Sequence, residues 1–249
     1  MIPNARRRLI IALDFDHIDP AFRLARSLAS RAGMFKVGSQ LFTAAGPAAV
    51  QRLASLGLGI FLDLKFHDIT NSVAGAVSAA GALPGVRLVN VHALGGLEMM
   101  RAAAQALPGG GRGPKLIAVT ILTSLGARAM GQIGMSGSPR TRAVRLARLA
   151  RRAGLDGVVA SPHEAARIRR ACGKGFLIVV PGVRPRFQTE GTGLRRRADD
   201  QARVATPAAA IRAGADYIVV GRPITAAANP RAAADAILEE ISSALHSRI

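Results

Sequence analysis

Eight short runs of β-branched and other apolar residues alternate along the chain with segments of alanine, leucine and arginine at helical spacing, and few folds accommodate that alternation. The runs cover residues 9–14, 34–38, 59–65, 86–92, 116–122, 157–161, 176–182 and 217–221. Between them, apolar residues recur on one helical face, as in Ala21, Leu24, Ala25, Leu28 and Ala29, or in Val144, Leu146, Ala147 and Ala150. A strand that is apolar almost throughout must be buried on both faces, which is the condition of a parallel sheet covered by its crossover helices. Eight strand–helix units predict an α/β fold, a closed (β/α)8 TIM barrel; a doubly wound open sheet is the alternative. At 249 residues the chain has the size of one such barrel, so residues 1–249 are expected to form a single domain. Two stretches between elements, 126–138 and 185–206, read as long loops, and loops of that length in a compact domain usually serve function.

Composition narrows the class further. The chain is 49% hydrophobic with a mean hydropathy of +0.25, too apolar for a disordered polymer. No apolar run approaches the roughly 18 to 20 residues of a membrane span, so no membrane partner is expected. The opening residues, MIPNARRRLIIALDFD, start basic, but their short apolar run leads into Asp14 and Asp16 instead of a small-residue cleavage site, and no export signal is read. Cys172 is the single cysteine, which excludes an internal disulfide and predicts a free buried thiol in a cytoplasmic protein. The net charge of +19 attracts anions of every kind, yet its arginines are spread over the helical segments, as in Arg142, Arg145, Arg148, Arg151 and Arg152. Almost no aromatic residue interleaves them for base stacking, so a solvated basic surface is expected and no specific nucleic-acid partner. Among 34 basic residues only Lys36, Lys65, Lys115 and Lys174 are lysines, and a lysine can transfer a proton where an arginine cannot.

In a (β/α)8 barrel the C-terminal ends of the strands and the loops beyond them build the active site. Polar residues at those ends are Asp14, Lys36, Asp63, Lys65, Asp68, His92, Thr123, Ser124, Ser161, Arg184 and Arg222. The segment FLDLKFHDITNS is the most informative, because Asp63 and Lys65 stand two apart and so share one face of an extended strand. Two unlike charges entering a barrel interior must pair with each other, as a purely structural ion pair, or with a ligand. A positioned ammonium can stabilise a carbanion and then quench it with a proton, and loss of carbon dioxide creates such a carbanion. Asp63 would then face the departing carboxylate, while Lys36 and Asp68 continue the alternation of charge. Loops after strands seven and eight commonly hold phosphate, and there the chain reads PGVRP and VVGRP, offering Arg184, Gly221 and Arg222.

DLKFHDITNS, the ALD ending at Asp14, FKVGSQLF around Lys36, NVHALGG, VTILTS, PGVRP and DYIVVGRP, in this order and spacing, resemble the orotidine 5′-phosphate decarboxylase family over nearly the whole chain. The resemblance implies cofactor-free, metal-free decarboxylation of orotidine 5′-phosphate to uridine 5′-monophosphate, with Lys36, Asp63, Lys65 and Asp68 catalytic. It also implies a homodimer in which Asp68 acts in the neighbouring site, together with Ile69, Thr70, Asn71 and Ser72 as substrate contacts. Asp14 would touch the ribose, Thr123 and Ser124 the pyrimidine edge, and Gln201 the phosphate. The chain departs from the pattern in three places. Thr70 stands where bacterial relatives commonly have proline, Ser72 stands where threonine is common, and GTGLRRRADD lengthens the phosphate loop, leaving Gln188 as a candidate in another register. Arg195, Arg196 and Arg197 in that insertion are read as solvated.

His67 and His92 lack partners at metal-ligand spacing and are read as packing or supporting residues. Two rivals remain. Sister barrels are metal-dependent sugar-phosphate enzymes with an acidic ligand on strand two, where Lys36 would repel a divalent cation. An arginine-rich barrel binding RNA or an anionic surface rests on the net charge alone.

Overall fold

The eight apolar runs form eight parallel strands: β1 (Leu9–Ala12), β2 (Met34–Gly38), β3 (Gly59–Phe66), β4 (Val86–His92), β5 (Lys115–Val119), β6 (Gly157–Val159), β7 (Leu177–Pro181) and β8 (Tyr217–Val220). In the computed structural model, which describes residues 2–107, 113–186 and 205–246, they pair in chain order and β8 returns to β1. The sheet is therefore a closed (β/α)8 barrel, and the open-sheet alternative falls. Helices α2 (Ile18–Leu28), α3 (Ser39–Ala54), α4 (Thr70–Gly81), α5 (Gly96–Ala106), α7 (Pro139–Arg152), α8 (Pro162–Cys172), α9 (Pro207–Arg212) and α11 (Pro230–His246) follow the strands in turn. Short helices α1 (Ile2–Arg6), α6 (Ala127–Gln132) and α10 (Arg222–Thr225) are additions to that scheme. Of these, α6 corrects the expectation of an open loop over 126–138: Met130 anchors it by packing on Ile121 and Ala143.

Strand alternation decides what faces where. Ile10, Ala12, Phe61, Leu88, Ile117, Val179 and Val219 fill the barrel interior, while Leu9, Ile11, Phe35, Val37, Ile60, Leu62 and Val89 pack outward against the helices. The buried faces of the helices are mostly alanine: Ala21, Ala25 and Leu28 in α2, and Ala143, Ala147 and Ala150 in α7. In α7 the buried stripe thus runs through Ala143, and Val144 and Leu146 are only partly covered. Cys172 is buried and free at the end of α8, and burial pushes its thiol pKa up.

At the N-terminal end of the barrel, aspartates before β6 and β8 complete the ladder. Asp156 accepts the Leu116 N–H at 2.8 Å and pairs with Lys115 at 2.9 Å, and Asp216 accepts the Ile178 N–H at 2.8 Å beside Arg169. Lys115 therefore serves the closed end of the barrel, and Lys174 is exposed. At the other end β1, β6, β7 and β8 stop one or two residues earlier than the apolar runs suggest, and β5 three, so Asp14, Ser161, Gly182 and Gly221 belong to the loops of the mouth.

Candidate active site

Continuing the inward-facing set by one position at the mouth replaces apolar residues with polar ones. Beyond Ala12 comes Asp14, beyond Met34 comes Lys36, beyond Phe61 comes Asp63, and beyond Leu88 comes Asn90. Lys36 Nζ lies 2.9 Å from Asp14 Oδ1 and 3.4 Å from Asp63 Oδ2, and Lys65 Nζ lies 2.8 Å from Asp63 Oδ1. Asp14, Lys36, Asp63 and Lys65 form one chain of alternating charge. Burial acts to lower the Lys36 pKa, but the carboxylates of Asp63 and Asp14 outweigh it and hold the ammonium above its usual range. Burial likewise acts to raise the Asp63 carboxyl, and the ammoniums of Lys36 and Lys65 hold it below the usual range. Both buried groups are thus charged at neutral pH. Glycine at position 38 leaves room for this arrangement, because a Cβ there would stand 2.7 Å from Lys36 Nζ.

Asp63 and Lys65 do meet, though not by plain strand alternation. Lys65 has φ 54°, the one positive φ at a non-glycine residue among the described residues, a conformation that costs about 1 to 3 kcal/mol. Asn90, wholly buried on β4, accepts the Lys65 N–H at 2.8 Å and donates to Asp63 Oδ1 at 2.6 Å. Reading the sequence for charged groups misses Asn90; the one signal was an amide interrupting the apolar run VRLVNVH.

These residues open into a cavity of about 370 Å³, a size suited to a small ligand. Asp14, Lys36, Asp63, Lys65, Thr123, Ser124, Arg184, Gly221 and Arg222 line it, with Phe61, Ile121 and Val219 among the apolar walls. Arg222 opens α10 directly after Gly221, the short extra helix after β8 at which such barrels commonly hold phosphate. Arg184 follows Val183, which pairs with Ala205, and the Arg184 N–H donates to the Ala205 carbonyl at 3.0 Å. Gln201, Gln188 and Arg195, Arg196 and Arg197 lie outside the described residues.

Several expected residues stand apart from this cavity. Asp68, Ile69, Thr70, Asn71 and Ser72 are exposed at the start of α4 and do not line it; Asp68 accepts the Ile69 N–H at 2.6 Å, and Ile69 is 72% exposed. Ser161 caps α8, accepting the His163 N–H at 3.4 Å in a capping box with Glu164. His67 is exposed beyond the end of β3, and its ring stacks on half-buried His92 at 5.3 Å, a supporting place rather than a metal-ligating one. Among the described residues no three His, Cys, Asp or Glu side chains are grouped to hold a metal, and no helix is long and apolar enough to cross a membrane. A second groove, between α7 and α8, is lined by Arg142, Arg145, Arg148, Arg152, Arg167 and Arg170, without an aromatic residue on which a base could stack.

Burial, then His67 and Lys65, lowers the His92 pKa from 6.5 to about 4. The folded protein therefore binds fewer protons than the unfolded chain between about 6.5 and about 4. The His92 contribution to stability is full above that window and is lost as pH falls through it. NMR titration of the His92 ring should give a midpoint near 4; a midpoint near 6.5 would mean the ring is hydrated.

A closed barrel whose mouth carries carboxylates and ammoniums in alternation, with Lys36 and Asp63 buried, defines a (β/α)8-barrel enzyme. The family model described as orotidine 5′-phosphate decarboxylase / HUMPS family matches residues 7–237, and the chain belongs to that family. The chain is 52% identical over 242 residues to the orotidine 5′-phosphate decarboxylase of Geotalea uraniireducens, covering 96% of both proteins. It is 53% identical over 237 residues to that of Halorhodospira halophila, covering 95% of this chain and 97% of the relative. The crystal structure of the Lactobacillus acidophilus orotidine 5′-phosphate decarboxylase superposes with a TM-score of 0.77 at 36% identity, over 94% of this chain and 98% of that one.

Proposed function

We propose that this chain decarboxylates orotidine 5′-phosphate to uridine 5′-monophosphate, the last step of pyrimidine nucleotide synthesis. One observation carries the reading: Lys65 Nζ stands 2.8 Å from Asp63 at the mouth of the barrel, with Lys36 on the other oxygen of the same carboxylate. Arg222, Arg184 and the backbone at Gly221 hold the phosphate, joined by Gln201 from the loop. Asp14 and Lys36 take the ribose, and the hydroxyls of Thr123 and Ser124 the pyrimidine edge. The substrate carboxylate then lies beside Asp63. As the bond to that carboxylate breaks, carbon dioxide leaves and its electron pair stays on the ring carbon, where the Lys65 ammonium stabilises the charge and delivers the proton. Holding the phosphate at one end supplies binding energy that positions the ring at the other.

The exposed run of Asp68, Ile69, Thr70, Asn71 and Ser72 fits a homodimer in which these residues complete the neighbouring site. Light scattering should then return twice the 25.8 kDa of the chain. In this reading residues 1–249 work as one barrel unit in the cytoplasm.

The test is the fall in absorbance as purified protein consumes orotidine 5′-phosphate. Activity should persist in EDTA, because the charge network does the stabilising. Loss in EDTA with recovery on adding magnesium would favour the sugar-phosphate sister enzymes, and no consumption at all would overturn the reading.

A further inference from the structure

The backbone around Lys65 needs an explanation that the charge network does not supply. Leu62 pairs with Val89 and Phe66 with Val91, so β3 takes four steps where β4 takes two. The extra residues cannot follow the ladder, and at Lys65 the chain turns through φ 54°. The Lys65 N–H finds its partner in a side chain instead: Asn90 Oδ1, at 2.8 Å. The same amide donates from Nδ2 to Asp63 Oδ1 at 2.6 Å, the oxygen that Lys65 Nζ approaches at 2.8 Å. Asn90 is 0% exposed, so its two hydrogen bonds cannot be exchanged for water. A backbone N–H can only donate and a carboxylate can only accept, which leaves the amide a single orientation.

Resting on the decarboxylase reading above, we propose that Asn90 is the positioning residue of the reaction. One buried amide holds the backbone of the proton donor and the carboxylate that orients it, so Lys65 Nζ is fixed relative to the ring carbon. Other side chains fail for stated reasons. Aspartate would put a second carboxylate against Asp63, leucine satisfies neither bond, and glutamine adds a methylene that no space in a wholly buried site receives. The bulge thus turns Lys65 out of the strand, and Asn90 makes that turn a fixed geometry.

The test compares wild type, Asn90→Ala and the near-isosteric Asn90→Asp. Displacing a reacting group by about an ångström costs on the order of 10²-fold, so Asn90→Ala should lose about that factor in kcat. KM for orotidine 5′-phosphate and the affinity for uridine 5′-monophosphate should stay within about threefold, because the phosphate grip is untouched. Asn90→Asp keeps the acceptor for the Lys65 N–H but removes the donor to Asp63, so the acid limb of its kcat profile should move to higher pH. That movement is one a loss of packing alone would not cause. In a crystal structure of either variant, Lys65 should leave the positive-φ conformation or Nζ should leave the Asp63 carboxylate.

An active wild type with Asn90→Ala or Asn90→Asp equally active overturns the inference, as does a fall in kcat and melting temperature with a rise in KM while the acid limb stays unmoved. An inactive wild type overturns the functional reading instead, and the variant structures still decide: Lys65 unmoved in both means Asn90 does not position it.

Discussion

Replacing Lys65 with alanine should lower turnover of orotidine 5′-phosphate on the order of 10⁴-fold or more, because the substitution removes the electrostatic stabiliser and the acid together. The side chain enters the cavity from a strand that Leu62 and Phe61 anchor in the core, and it is 37% exposed, so the fold does not depend on it. The variant should melt within a few degrees of wild type and bind uridine 5′-monophosphate within about tenfold, since the product has no carboxylate and the phosphate contacts remain. Lys65→Arg separates the two roles. It keeps a cation near the ring but cannot give up a proton, so it should recover part of the binding and little of the turnover. Single-turnover kinetics on the two variants would check this. Near-normal turnover by Lys65→Ala removes Lys65 from the mechanism.

The parts of this site that sequence reveals are those governed by strand alternation. Asp14, Lys36 and Asp63 each follow an inward apolar residue at the C-terminal end of a strand, and a barrel with eight strands leaves such residues one place to converge. The scarcity of lysine was a weaker guide. Lys36 and Lys65 reach the mouth, but Lys115 pairs with Asp156 at the opposite end and Lys174 is on the surface. What escaped notice is what alternation cannot encode. No glycine or proline marks the bulge at Lys65, where the long-range bond from Asn90 fixes the backbone. Asn90 itself carries no charge and sits in an apolar run, so its polarity gains meaning only once β4 lies beside β3. The helix over Ala127–Gln132 is too short to show a periodic face, and Met130 holds it by a contact distant from local propensity. Asp68 and the four residues after it are legible as a motif, yet in the folded chain they are exposed and do not line the cavity, which a sequence motif by itself does not reveal.

Asp63→Ala should be the most destabilising substitution at the mouth. The residue is 7% exposed, and its carboxylate lies between Lys36 at 3.4 Å and Lys65 at 2.8 Å and accepts from Asn90 at 2.6 Å. Removing it leaves two ammoniums facing each other, and Lys36 keeps only the half-exposed carboxylate of Asp14. Breaking a buried pair by deleting one partner costs about 3 to 5 kcal/mol, whereas Asp14→Ala, at a solvated pair, should cost about 1 kcal/mol or less. The difference depends on pH in a definite direction. Because the folded protein holds the Asp63 carboxyl below its ordinary range, its contribution is present above that range and is lost as pH falls through the depressed value. Denaturant titrations of wild type and Asp63→Ala should therefore converge as pH drops well below about 4 and separate again near neutrality. The same variant tests the repulsion placed between Asp63 and the substrate carboxylate. If repulsion raises the bound ground state, KM falls together with kcat; if Asp63 only orients Lys65, kcat falls and KM holds. Equal stability of the two proteins at neutral pH would mean that Lys36 finds another partner, and that the alternating chain of charge does not hold the mouth together.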